Sequence, residues 1–183
     1  MIIYIHGFAS SSHSNKVTLL KNHFQDVVAF DLSYVPELAI KQLEEFIDLH
    51  INENITLVGS SLGGFYSIYL ADKYNLKVVL INPSIHPEKT LRQYIDRSVK
   101  NYSTDEGFIF KAEYIEQLKK LKTTTFNSSN TLLLLQKGDD VIDYTEALAF
   151  LPQAKSIVES GGSHQFENFE NYFTMIGSFH ASK

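Results

Sequence analysis

The feature that most constrains this chain is a repeating alternation of short, unbroken apolar runs with longer amphipathic segments. Ile2–Ile5, Val27–Phe30, Ile55–Val58, Val78–Ile81 and Thr131–Leu135 are nearly continuous apolar stretches of strand length. Strands covered on both faces have this character, because neither side of the pleat meets water. Ser156–Val158 is a sixth and weaker strand candidate. Between these runs, Val17–Phe24, a segment opened by Pro36, Leu62–Tyr74 and Asn168–Phe179 read as helices. Pro36 suits a first helical turn because its φ is already fixed near the helical value. Strand and helix in alternation predict an α/β fold: about six parallel strands flanked by helices.

Residues 83–130 break the rhythm. Two helices are predicted there, near Glu88–Lys100 and Lys111–Leu121, with no strand between them. The stretch is too patterned for a structureless loop, so it reads as a helical insertion after the fourth strand, placed as a lid. Its apolar and aromatic residues (Ile85, His86, Leu91, Tyr94, Ile95, Phe108, Phe110, Tyr114 and Leu118) are candidates for packed core or for pocket walls. At 183 residues without repeats or linkers, the chain is expected to form one domain, 1–183.

Composition removes several classes of function. There is no cysteine, which excludes disulfides, thiol nucleophiles and cysteine-ligated metal sites. The net charge is 16 − 21 = −5, against the basic footprint that nucleic-acid binding needs. Neither G-x-G-x-x-G after a strand nor G-x-x-x-x-G-K-[ST] occurs, which argues against a nucleotide-binding parallel-sheet protein. Met1–Ile5 lacks the basic start of a secretion signal, and no apolar run is long enough to span a membrane, so a cytoplasmic protein is the expectation.

The chemistry concentrates in Gly59-Ser60-Ser61-Leu62-Gly63, directly after one strand and directly before a helix. A G-x-S-x-G in that position forms a tight turn that pushes the central serine Oγ out of the sheet. The chain's own composition gives about 0.04 such matches by chance. Ser61 is therefore the candidate nucleophile, and it needs a base. His164, in the glycine-rich loop Ser160–Phe166 after the last strand, is the candidate base. An acid that fixes the tautomer of that histidine is expected at another strand end. Asp139 is the choice and Asp140 the runner-up, both following the Thr131–Leu135 run. Asp143 completes an acidic group there, but the glycine and glutamate of a calcium loop are missing at their spacings. An oxyanion needs two converging N–H donors: Leu62, after the nucleophile, and Phe8, in the loop after the first strand. His6 is expected to shape that loop by hydrogen bonding, and Ser10–Ser14 to be a solvated loop leading into a helix cap, with a polar pocket wall as the alternative. No metal and no organic cofactor is expected.

The order Ser61, Asp139, His164 resembles that of the α/β-hydrolase superfamily, over essentially the whole chain. More closely, Tyr4-Ile5-His6-Gly7-Phe8, Gly59–Tyr66, Leu80-Ile81-Asn82-Pro83-Ser84 and Gly161-Gly162-Ser163-His164 are similar to the small YqiA/YcfP-like esterase family. That resemblance implies a minimal α/β-hydrolase fold and a serine esterase acting on small-molecule acyl esters. Its nucleophile, acid and base then fall on Ser61, Asp139 and His164. Asp140 stands where the family more often has glutamate. Three alternatives stay open on the same scaffold: a thioesterase, a carbon–carbon bond hydrolase, and a binding protein without catalysis.

Overall fold

A computed structural model describes residues 1–104 and 106–182 of the chain. In order, the elements are β1 (Ile2–Ile5), α1 (Asn15–His23), β2 (Val27–Ala29), α2 (Pro36–Leu49), β3 (Thr56–Ser60), α3 (Leu62–Tyr74) and β4 (Lys77–Ile81). There follow α4 (Pro87–Thr90), β5 (Ser98–Lys100), β6 (Gly107–Ile109), α5 (Ala112–Lys120), β7 (Thr131–Gln136), α6 (Tyr144–Phe150), β8 (Lys155–Glu159) and α7 (Phe173–Ala181).

Six strands form one sheet in the order β2-β1-β3-β4-β7-β8, every neighbouring pair parallel. The continuous apolar runs have a direct cause. Alternate residues of each central strand enter different cores. Ile3, Ile5, Leu57, Leu80 and Leu133 face α2, α3 and α5 through Leu43, Ile47, Phe65 and Leu118. Ile2, Tyr4, Val58, Val79 and Leu132 face α1 and α7 through Val17, Leu20 and Ile176. The edge strands β2 and β8 are only partly buried, which is why Ser156–Val158 gave a weak signal. α3 lies against the middle of the sheet and buries nine of its residues, from Leu62 to Ala71, including both sides of its first turn.

The chain leaves β1 toward β2 on one side and takes up β3 on the other. Such a reversal opens a crevice at the carboxyl ends of the strands, where α/β sheets place their ligands. The loops after β1 and β3 meet there.

Residues 83–130 differ from the predicted pair of helices. Glu88–Lys100 is not one helix: α4 has four residues, a single 3₁₀ turn runs over Leu91–Tyr94, and the chain then extends into β5. Ile95 (φ −55°, ψ 130°) and Asp96 (φ 60°) leave helical geometry and end the pattern. β5 and β6 pair antiparallel, Val99 opposite Phe108, so the insertion carries a small hairpin as well as α5. Ile85, Phe110, Tyr114 and Leu118 belong to the main core, and Ile95 and Phe108 pack against it. His86 lies 3.6 Å from the Glu88 carboxylate. That carboxylate also receives Lys122 Nζ at 2.9 Å, which joins the start of the insertion to the end of α5. No helix among the described residues is long and apolar enough to cross a membrane.

Candidate active site

Ser61 sits alone between β3 and α3 with φ 55° and ψ −121°. An L-residue rarely adopts that conformation, at a cost on the order of 1–3 kcal/mol, and it persists only when neighbours over-determine it. Here they do. Ser61 N–H donates to Ile81 O (3.2 Å), and Ser61 O accepts from Gly64 N (2.9 Å) and Ser84 N (3.0 Å). The flanking glycine has a steric reason as well. A Cβ on Gly63 would collide with the carbonyl oxygens of Ile5 and His6, because the first turn of α3 lies directly on the end of β1.

Two further loops reach the same point. His164 Nε2 lies 3.1 Å from Ser61 Oγ, and His164 Nδ1 lies 2.8 Å from Asp139 Oδ2. The other oxygen of Asp139 accepts from the N–H groups of Val141 (2.9 Å) and Ile142 (2.8 Å). Its side chain is 1% exposed, so the carboxylate has one orientation available. Asp140 is exposed and makes no hydrogen bond to His164. With Nδ1 donating to the carboxylate, Nε2 faces the serine hydroxyl as an acceptor.

The loop after β1 completes the arrangement. His6 Nε2 accepts the Leu32 N–H (3.2 Å), so Nδ1 carries the proton and donates to Gly7 O (2.8 Å). Burial pushes this imidazole below its ordinary pKa of 6.5, against the opposing pull of Gly7 O and the Asp31 charge. The Phe8 ring lies against Tyr94, Phe108 and Phe110 at centroid distances of 5.2, 5.8 and 5.5 Å. The insertion further ties the loop through Tyr102 N to Ala9 O (2.8 Å) and Asn101 Nδ2 to Ser10 O (2.9 Å). The backbone N–H groups of Phe8 and Leu62 have no acceptor among the described residues.

Two side chains to which the sequence assigned no role hold the histidine loop. Asn82, 2% exposed and at φ 40°, accepts from Gln136 N (3.0 Å) through Oδ1. Its Nδ2 donates to Ser163 O (3.0 Å) and reaches His164 O at 3.4 Å. Gln136, also 2% exposed, accepts from Ser163 N (3.1 Å) and Glu167 N (2.8 Å). It donates to Glu167 O (2.9 Å) and Glu159 Oε2 (3.0 Å). The Tyr172 hydroxyl, pushed up to about 12 by burial and by Glu159, closes the far end of the chain of bonds. Gly162 (φ 76°) lies so close that a Cβ there would strike the Gln136 side chain. The available signal was a polar residue directly after an unbroken apolar strand, at the sheet edge where ligands bind.

A cavity of about 880 Å³ runs past Ser61. Phe8, Pro87, Leu91 and Tyr94 line it on the insertion side, Tyr4, Ser10, Ser14, Lys16 and Leu19 on the α1 side, and Phe166 lines it as well. Of the insertion residues considered from sequence, Leu91 and Tyr94 line it. The serine loop is more than a solvated lead-in, since Ser10 and Ser14 are wall residues. Ser14 occupies the N-cap position of α1 without making a side-chain capping bond. Asp143 instead caps α6, accepting from Thr145 N at 2.9 Å. Among the described residues, no group of three or more His, Asp or Glu is placed to hold a metal ion.

Comparison with solved structures identifies the architecture. The mouse alpha/beta hydrolase domain-containing protein 10 superposes with a TM-score of 0.72 at 15% identity, covering 97% of this chain and 86% of that one. A monoacylglycerol lipase of Paleococcus ferrophilus superposes with a TM-score of 0.67 at 16% identity, covering 98% and 93%. The fold is therefore that of the α/β hydrolases. In sequence, the UPF0227 protein YcfP of Salmonella paratyphi A is 25% identical over 190 residues, 98% of each chain. The model of the uncharacterised protein family UPF0227 matches residues 1–181, and the chain belongs to that family.

Proposed function

We propose that the protein is a serine hydrolase of small-molecule carboxylic esters, with Ser61 as nucleophile, His164 as base and Asp139 as the acid that orients it. One observation carries this: the row Ser61 Oγ–His164 Nε2–Asp139, with contacts of 3.1 and 2.8 Å, contributed by three separate loops at the crevice. The strained backbone of Ser61 and the two unengaged N–H groups beside it support the same assignment. A monoacylglycerol lipase is among the proteins that share the fold, which supports an ester as substrate.

In this mechanism Ser61 Oγ attacks the ester carbonyl carbon as His164 Nε2 takes its proton. The carbonyl oxygen becomes an oxyanion held by the N–H groups of Phe8 and Leu62. Losing one such donor typically costs about 10²–10³ in turnover. The tetrahedral intermediate collapses, the C–O bond to the alcohol breaks, and His164 returns the proton to the departing oxygen. Water, deprotonated by His164, then attacks the acyl-enzyme; the bond to Ser61 Oγ breaks, the acid leaves, and His164 returns the proton to Ser61 Oγ. Asp139 stays ionised throughout and stabilises the imidazolium. The insertion at 83–130 acts as the lid of this single catalytic domain, since it supplies Leu91 and Tyr94 to the wall and buttresses Phe8.

A fluorophosphonate probe tests the proposal. Stoichiometric labelling of the wild-type chain, absent in Ser61→Ala, is expected. An unlabelled wild type contradicts the serine mechanism, and labelling that survives Ser61→Ala contradicts the choice of nucleophile.

A further inference from the structure

The cavity around Ser61 has two chemically different walls because it crosses the sheet edge. On the insertion side Phe8, Pro87, Leu91 and Tyr94 form an apolar patch, beside the polar Thr90, Gln93 and Ser103. The wall from the α1 side is more polar, with Leu19 as its aliphatic residue, and holds Lys16, the one lysine or arginine among the described residues that lines the cavity.

Nothing in the fold's own stability accounts for Lys16. It is half-buried in the first turn of α1, where the helix dipole opposes positive charge and no acidic residue offsets it. It makes no ion pair or hydrogen bond among the described residues. Burial pushes its ammonium down to about 8, which leaves it mostly protonated at neutral pH. Two residues earlier, Ser14 also lines the cavity; its Oγ is buried and faces the Tyr4 hydroxyl without a hydrogen bond of ordinary length. A buried hydroxyl without an ordinary hydrogen bond and a desolvated cation, both lining one cavity, are costly unless a ligand engages them. Asp140, Glu167 and Glu170 also line the cavity, but all three are exposed and solvated, and none pairs with Lys16.

Taking Ser61 as the nucleophile, we propose that the natural substrate is an ester bearing an anionic group, a carboxylate or phosphate. Lys16 Nζ and Ser14 Oγ hold that group on the α1 wall, while the apolar portion lies against Leu91 and Tyr94. The two walls thus orient the scissile carbonyl across Ser61, and a neutral ester of the same size engages only one of them. An ion pair with hydrogen bonding in a partly desolvated site discriminates by about tenfold or more.

The experiment compares kcat/KM for matched esters. On the acyl side, para-nitrophenyl hemiglutarate is set against para-nitrophenyl valerate. On the alcohol side, butyryl glycolate and the butyryl ester of ethylene glycol monophosphate are set against propyl butyrate. These separate carboxylate from phosphate and acyl side from alcohol side. At least one charged ester should exceed its neutral partner by about tenfold in the wild type. Lys16→Met should lower that ratio by about tenfold, and Lys16→Arg should retain most of it. Using the ratio cancels any general loss of activity in a variant. The inference is overturned if no charged ester is preferred, or if Lys16→Met leaves the ratio unchanged. Labelling of Ser61 by a fluorophosphonate with no charged ester turned over overturns the anion site alone. No turnover together with an unlabelled Ser61 removes the hydrolase assignment and the anion site with it.

Discussion

Asn82→Ala removes a clamp whose energy can be worked from its bonds. The side chain is 2% exposed, so water does not replace what is lost. Gln136 N–H loses its acceptor at 3.0 Å and Ser163 O loses its donor at 3.0 Å. Each buried group left unpaired costs about 1–3 kcal/mol. The backbone at φ 40° adds about 1 kcal/mol, since alanine lacks the local tolerance of asparagine for that region. The sum is about 3–7 kcal/mol, a large share of the roughly 5–15 kcal/mol that holds a domain folded. Asn82→Gly isolates the clamp, because glycine accepts the backbone and still loses both bonds. It should be more stable than Asn82→Ala by about 1 kcal/mol and remain folded well enough to assay. The loop carrying His164 is then free to wander, and a misplacement of about 1 Å costs roughly 10² in rate. Urea unfolding followed by circular dichroism gives the stabilities, since the chain has no tryptophan to report them. Hydrolysis of para-nitrophenyl acetate gives kcat and KM, with the loss expected in kcat. Wild-type stability and turnover in Asn82→Gly would refute the clamp as the device that holds His164.

Two other outcomes follow from the same geometry. Asp139→Asn places an amide donor against His164 Nδ1, favouring the wrong tautomer, and should lower kcat by about 10³–10⁴; Asp140→Asn, exposed, should stay within a few-fold. A reversed ranking would overturn the choice of acid. His6, held neutral by burial with a folded pKa below 6.5, contributes stability that is complete above that value. That stability is lost as pH falls from 6.5 through the folded pKa, because protonation puts a second donor against Leu32 N–H. Between pH 7 and pH 5 the melting temperature should fall, and His6→Gln should flatten the slope. His180, also lowered by burial, leaves a residual slope. Parallel slopes in wild type and His6→Gln would sink this account of the loop.

The residues at the crevice were legible because their signals are local. Ser61 is marked by glycines two positions away: Gly63 is required where α3 lies on the end of β1, and Gly59 where the first turns of α3 lie against β3. The central strands were legible because residues such as Val79 and Leu80 point into different cores, so both must be apolar. Residues 88–110 were not, since β5 and β6 have three residues each and are stabilised by pairing with one another rather than by any period. α6 went unseen for a similar reason: it has seven residues, and its capping Asp143 read as one of a group of acids. The roles of Asn82, though it lies in a quoted motif, and of Gln136 escaped because their partners lie far along the chain. Asn82 reaches Ser163 81 residues away, and Gln136 reaches Glu167 31 residues away.

The most direct test of the central claim is the intact mass of the protein after mixing with para-nitrophenyl acetate and quenching in acid within the first turnovers. One acetyl group per chain is expected, mapped by peptide mass to Ser61, formed with a burst of para-nitrophenol and absent from Ser61→Ala. Turnover without an acyl-enzyme at Ser61, or an acetyl group on any other residue that turns over at the catalytic rate, would contradict it.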